Sequence, residues 1–139
     1  MKSRDTLIRL KKFQVDEMRR RVTQIEAMIA DFRRMSVELE REIATEQERA
    51  GIDDPTHFAY PTYAKAAIAR RENLLRSAAE LETQLDEARA QLADAFEELK
   101  KVELLDERDQ ARGRAEEDAR EQADLDSIGL MRSRIGAVA

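Results

Sequence analysis

The chain has 139 residues, of which 40% are charged and only 4% aromatic, with no Trp, no Cys, four Gly and two Pro. That is one domain's length without the aromatic stock of a globular interior, while abundant Ala, Leu, Glu and Arg match the composition of long helices and coiled coils. A net charge of -5 is too small to hold the chain open by self-repulsion, and the absence of cysteine excludes disulfide staples and thiolate metal sites.

The N-terminus places charges at Lys2, Arg4, Arg9, Lys11 and Lys12 among Leu7, Ile8 and Leu10. No apolar stretch there reaches signal-peptide length, and none elsewhere approaches a membrane span, which predicts a soluble, unsecreted protein. A first helix is predicted over about 4–50. Its core positions are Val15, Met18, Val22, Ile25, Ile29, Phe32, Ser36, Leu39 and Ile43, alternating steps of three and four, with Ser36 the only polar member. The segment 51–60 is a turn: Gly51 suits a helix end, and Asp53 and Asp54 read as turn residues ahead of Pro55. Pro61 suits the opening turn of a second helix, where its missing N–H would be unpaired anyway. That helix is predicted over about 61–124, with core positions Tyr60, Ala64, Ala67, Arg71, Leu74, Ala78, Leu81, Leu85, Ala88, Leu92, Ala95, Leu99 and Val102. The last stretch, 125–139, contains Gly129 and Gly136 and is expected to be a flexible tail that frays without a partner.

A narrow apolar stripe on each helix must be buried against another helix, and a spacing near 3.5 residues implies a left-handed supercoil. Folding the chain about residue 55 pairs positions whose numbers add to about 111, so bulky Phe32 meets the region of Ala78 and Val15 meets Ala95. Large residues then oppose small ones, as close packing requires. Charge agrees, because residues 1–21 carry eight Lys/Arg against three Asp/Glu, whereas residues 103–126 carry ten acidic side chains against four Arg. The predicted fold is all-α: one domain, 1–139, in a long antiparallel two-helix coiled-coil hairpin about 60 to 70 Å in length, with an overhanging C-terminal helix.

No reactive constellation accompanies this pattern. His57 is the only histidine, which denies the chain a His-based metal cluster or a Ser/His/Asp triad; it reads as a polar loop residue. The glycines at 51, 113, 129 and 136 form no phosphate-binding loop. Asp53 and Asp54 lack the regular oxygen ligands of a calcium loop. Arg19, Arg20 and Arg21 point about 100° apart on a helix, so they make no flat patch for nucleic acid. The reading is therefore a non-enzyme with no cofactor, no metal, no nucleic acid and no small-molecule substrate. Three of the six aromatics, Phe58, Tyr60 and Tyr63, fall within six residues at the turn. They either cap the seam, as Tyr60's core position suggests, or form a binding surface.

Three segments carry a family likeness: Met1-Lys2-Ser3-Arg4 leading to Leu10-Lys11-Lys12-Phe13, the turn Phe58-Ala59-Tyr60-Pro61-Thr62-Tyr63-Ala64, and Phe96-Glu97-Glu98-Leu99-Lys100-Lys101-Val102-Glu103. With them the chain resembles the FliJ family of bacterial flagellar export proteins. That resemblance implies a cytoplasmic, non-catalytic component of the flagellar type III export apparatus, peripheral to the membrane through its partners, a monomer resembling the central shaft of rotary ATP synthases. It implies that the terminal ends enter the ring of the export ATPase FliI, through Lys2, Arg4, Leu7, Arg9, Lys11, Lys12, Ile128, Leu130, Met131 and Arg132. It places contacts to the export gate FlhA near the turn, at Ile43, Phe58, Tyr60, Tyr63 and Ala67, with Ala67 and Arg70 departing from the types some relatives carry. It also implies a role assisting export chaperones and substrates. Two other readings fit the same composition: a self-associating scaffold coiled coil, and a nucleic-acid-binding helical protein.

Overall fold

Two long helices form because almost nothing interrupts good helix formers on either side of residues 51–61. The computed structural model describes residues 2–138, with side chains described for 4–136. Helix α1 spans Lys2–Ala50 and α2 spans Thr62–Val138; the described residues contain no strand. The helices pack against each other in antiparallel fashion, and each position of both predicted stripes is buried or half-buried. The coiled-coil reading of the heptads therefore holds.

The connection is built from local hydrogen bonds. Gly51 takes a positive φ of 68°, the left-handed conformation that ends a helix, and its N–H donates to the carbonyls of Gln47 (2.9 Å) and Glu48 (3.3 Å). Asp54 then organises the turn: its Oδ1 accepts from the Thr56 N–H at 2.9 Å and the Thr56 hydroxyl at 2.7 Å, while its carbonyl accepts from the His57 N–H. Pro55 occupies the second position of that turn, where a fixed φ is favourable. These bonds to the carboxylate hold Asp54 below its ordinary pKa. Pro61 lies one residue ahead of α2, and its carbonyl accepts the N–H of Lys65 at 3.1 Å.

The chain divides into two units, 13–96 and a second made of 1–12 with 97–139. In the first, Val22, Ile25, Ile29, Leu81, Leu85 and Ala88 form one buried cluster, flanked by Phe32 and Leu92. Nearer the turn, Leu39, Ile43 and Ala67 form another, flanked by Ile68 and Leu74. Ser36 is buried between these groups and satisfies its hydroxyl on the carbonyl of Arg33 at 3.0 Å. Arg33 itself pairs across the hairpin with Glu82.

In the second unit, Leu99 is buried and Ile8 and Val102 are half-buried. Arg4 pairs with Asp109, and Lys11 donates to Glu98 at 2.8 Å, so the basic arm does lie beside the start of the acidic one. The Lys11 hydrogen bond and charge keep Glu98 below the usual carboxylate pKa. Pairs that stay in contact with solvent, as these do, set register more than they add stability. Helix α2 continues unbroken through 125–138, whereas the sequence reading ends it near 124; residues 110–136 are exposed throughout. Glycine in a helix costs about 1 kcal/mol, so Gly129 and Gly136 weaken this stretch without breaking it.

Candidate interaction surfaces

The turn-proximal surface is assembled by both helices of the 13–96 unit. Phe58 is 97% exposed, its ring stacked on His57 with centroids 4.8 Å apart. His57 Nδ1 accepts the Ala59 N–H at 3.1 Å, which fixes the stack at the apex of the loop. Tyr60 has the opposite fate: it is 7% exposed, and its hydroxyl accepts from Gln47 Nε2 at 2.9 Å, closing the seam where the helices end. Tyr63 lies between these extremes, 57% exposed, with its hydroxyl donating to Glu42 at 2.8 Å. That acceptor carboxylate and its charge raise the Tyr63 pKa, since they favour the protonated phenol. A shallow groove runs beside Tyr63, with Met35, Leu39 and Leu74 below and Glu38, Glu42 and Arg70 at its edges.

The five turn-proximal candidates thus divide by burial. Ile43, Tyr60 and Ala67 are core side chains of the seam, which leaves Phe58 and Tyr63 as those that present large surfaces outward. Membership of the heptad stripe was the sequence signal for this split, since the buried three all occupy core positions. Sequence reasoning missed the groove, and with it Met35, Glu38, Glu42, Arg70 and Leu74 as its lining. The signal was available only by comparing flanking positions of both helices in one register.

The terminal surface belongs to the other unit. Arg4 and Lys11 are half-buried and engaged with Asp109 and Glu98, while Leu7, Arg9 and Lys12 are exposed. The side chain of Lys2 lies outside the described residues. Ile128, Leu130, Met131 and Arg132 are all exposed on α2, together with Leu125 and Ile135. Leu125, Ile128, Met131 and Ile135 follow steps of three, three and four, which places them on one face of the helix. A row of exposed apolar side chains along one face makes this stretch a candidate interaction surface. Among the described residues no group of three or more His, Cys, Asp or Glu could hold a metal ion.

Comparison with known families decides the affiliation: the model of the family described as "Flagellar FliJ protein" matches residues 1–135. The chain belongs to the FliJ family. No curated protein and no solved structure matches it. As a FliJ-family coiled coil, the chain has a function connected with flagellar type III protein export and an association with the flagellar export apparatus. No described helix of this FliJ-family chain is long and apolar enough to cross a membrane.

Proposed function

We propose that the chain is a non-catalytic coupling element, which engages the export ATPase FliI with its terminal unit and the export gate FlhA with its turn-proximal surface. The observation that carries this reading is the run of exposed apolar side chains on α2, Leu125, Ile128, Leu130, Met131 and Ile135, in a helix otherwise rich in charge. Burying each such side chain in a partner is worth about 1.5–3 kcal/mol, so a few of them supply useful affinity. Without a partner, residues 125–136 have little packing to hold them, and this stretch is a flexible overhang in the free chain. The exposed Phe58 and Tyr63 make the corresponding case at the turn, because aromatic side chains dominate interface energetics. On this reading the protein works as a monomer at the cytoplasmic face of the apparatus and assists export chaperones and their substrates. It binds neither nucleic acid nor a small-molecule substrate.

The test is stimulation of the purified export ATPase. Deleting 1–12 together with 125–139 is expected to abolish it. Because that deletion also removes the Arg4–Asp109 and Lys11–Glu98 pairs, the full-length double variant Ile128→Asp, Met131→Asp is the cleaner probe. Both residues are exposed, so the fold tolerates the change while the apolar face is lost. Circular dichroism unchanged from wild type with stimulation lost is the expected outcome. Undiminished stimulation by this variant removes the shaft assignment.

A further inference from the structure

Beyond the seam, α2 carries a second heptad stripe. The seam runs out at Asp106 and Asp109, both half-buried, and its phase continues only through Gly113, Glu116, Arg120 and Ala123. The exposed side chains Asp118, Glu121, Leu125, Ile128, Arg132 and Ile135 follow alternating steps of three and four of their own. They lie two residues out of phase with the seam, and two residues turn a helix by about 200°, so this stripe runs along the opposite side of α2. Its charges are sorted by end and have no answer nearby. Arg132 has Ile128, Gly129, Ile135 and Gly136 one turn away, none of them acidic, while Glu121 has Glu117, Asp118, Asp124 and Leu125, none of them basic. The salt bridges of the described residues join other pairs.

We infer that this stripe is the pairing surface for a second copy of the chain, laid antiparallel against the same stripe. In the register that sets Leu125 on the partner's Ile128, Arg132 falls opposite the partner's Glu121, and twofold symmetry repeats both layers. In the outer layers Ile135 meets the partner's Asp118, whose charge Arg114 answers one turn back on its own helix. A parallel pair would instead stack Arg132 on Arg132 and Glu121 on Glu121. The charged layers therefore fix direction, as a polar side chain at a core position does in a coiled coil. Two apolar layers between two ion-paired ones make a small interface of the transient class, below about 1,200 Å². The pairing belongs to the free chain: a copy whose Leu125 and Ile128 are engaged by another protein is unpaired, which agrees with a monomer at work.

Sedimentation equilibrium of the full chain tests this. The mass is expected to rise from 16.0 kDa toward twice that value between roughly 10 and 500 μM, as a micromolar dissociation constant requires. Arg132→Glu and Glu121→Arg are each expected to weaken association by about tenfold or more, and the variant carrying both is expected to restore it. Both positions are exposed, so circular dichroism of all three variants is expected to match the wild type. A wild-type mass fixed at 16.0 kDa throughout overturns the pairing. Association that either single variant leaves unchanged overturns it too, since the contact then lies elsewhere. Neither result alters the expectation for ATPase stimulation, which is measured separately.

Discussion

Replacing Leu85 with Ala is expected to lower the unfolding free energy by about 2–5 kcal/mol. Leu85 is 4% exposed and sits in the cluster of Val22, Ile25, Ile29, Leu81 and Ala88. A seam between two helices is only one layer thick, so no second layer of side chains can move in to fill the space left by the missing branched end. Domains of this size are stable by only about 5–15 kcal/mol, so the loss is a large share of the total. Urea unfolding followed by circular dichroism checks it, with Met28→Ala as the control. Met28 is exposed on α1, and its truncation is expected to change stability by about 0.5 kcal/mol or less. A Leu85→Ala midpoint indistinguishable from that control would mean the buried cluster does not hold the helices together.

The second large effect lies at the end of the seam. Tyr60→Ala is expected to destabilise by about 3 kcal/mol, because it removes a buried aromatic ring and strands the Gln47 amide that donates to its hydroxyl. Tyr60→Phe keeps the ring and loses only the hydrogen bond, which should cost about 1 kcal/mol. The pair also separates architecture from recognition. Since Tyr60 is buried, Tyr60→Phe is expected to bind the export gate as wild type does, whereas Tyr60→Ala weakens binding only as far as it loosens the hairpin. Thermal melts of both variants beside their gate affinities make the comparison. Lost affinity in Tyr60→Phe at unchanged melting temperature would place this hydroxyl directly in the interface.

The heptad stripes were legible because burial in a coiled coil follows a period that a single sequence displays. Val22, Ile25 and Ile29 announce their face by spacing alone, and the oppositely charged arms fix the direction in which the chain returns. The pairs Lys11–Glu98 and Arg4–Asp109 realise that expectation. The three clustered aromatics were legible as a group but not in their separate fates. Phe58 projects from the loop and Tyr60 turns inward because of hydrogen bonds at Asp54, His57 and Gln47, whose formation depends on turn geometry that no periodicity encodes. Membership in the stripe did mark Ile43, Tyr60 and Ala67 as interior residues, and the family likeness alone does not reveal that. The groove at Arg70 was hidden for another reason. It exists only once Met35 and Arg70, 35 residues apart, are set on the same flank of the hairpin. The sequence reading ends α2 near 124 and expects a tail that frays without a partner; α2 runs on through Gly129 and Gly136 because the Leu, Met and Arg around them favour the helix.

The coupling role requires the two stripes to close within one molecule. Arg33 and Glu82 pair across the hairpin on exposed flanks, and the chain has no cysteine of its own, so Arg33→Cys with Glu82→Cys gives a clean cross-link. Oxidised at low protein concentration and read by non-reducing mass measurement, the double variant is predicted to form its disulfide at the monomer mass of 16.0 kDa. Recovery of disulfide-linked dimers alone, with no bridge inside the single chain, would contradict the hairpin and the coupling role built on it.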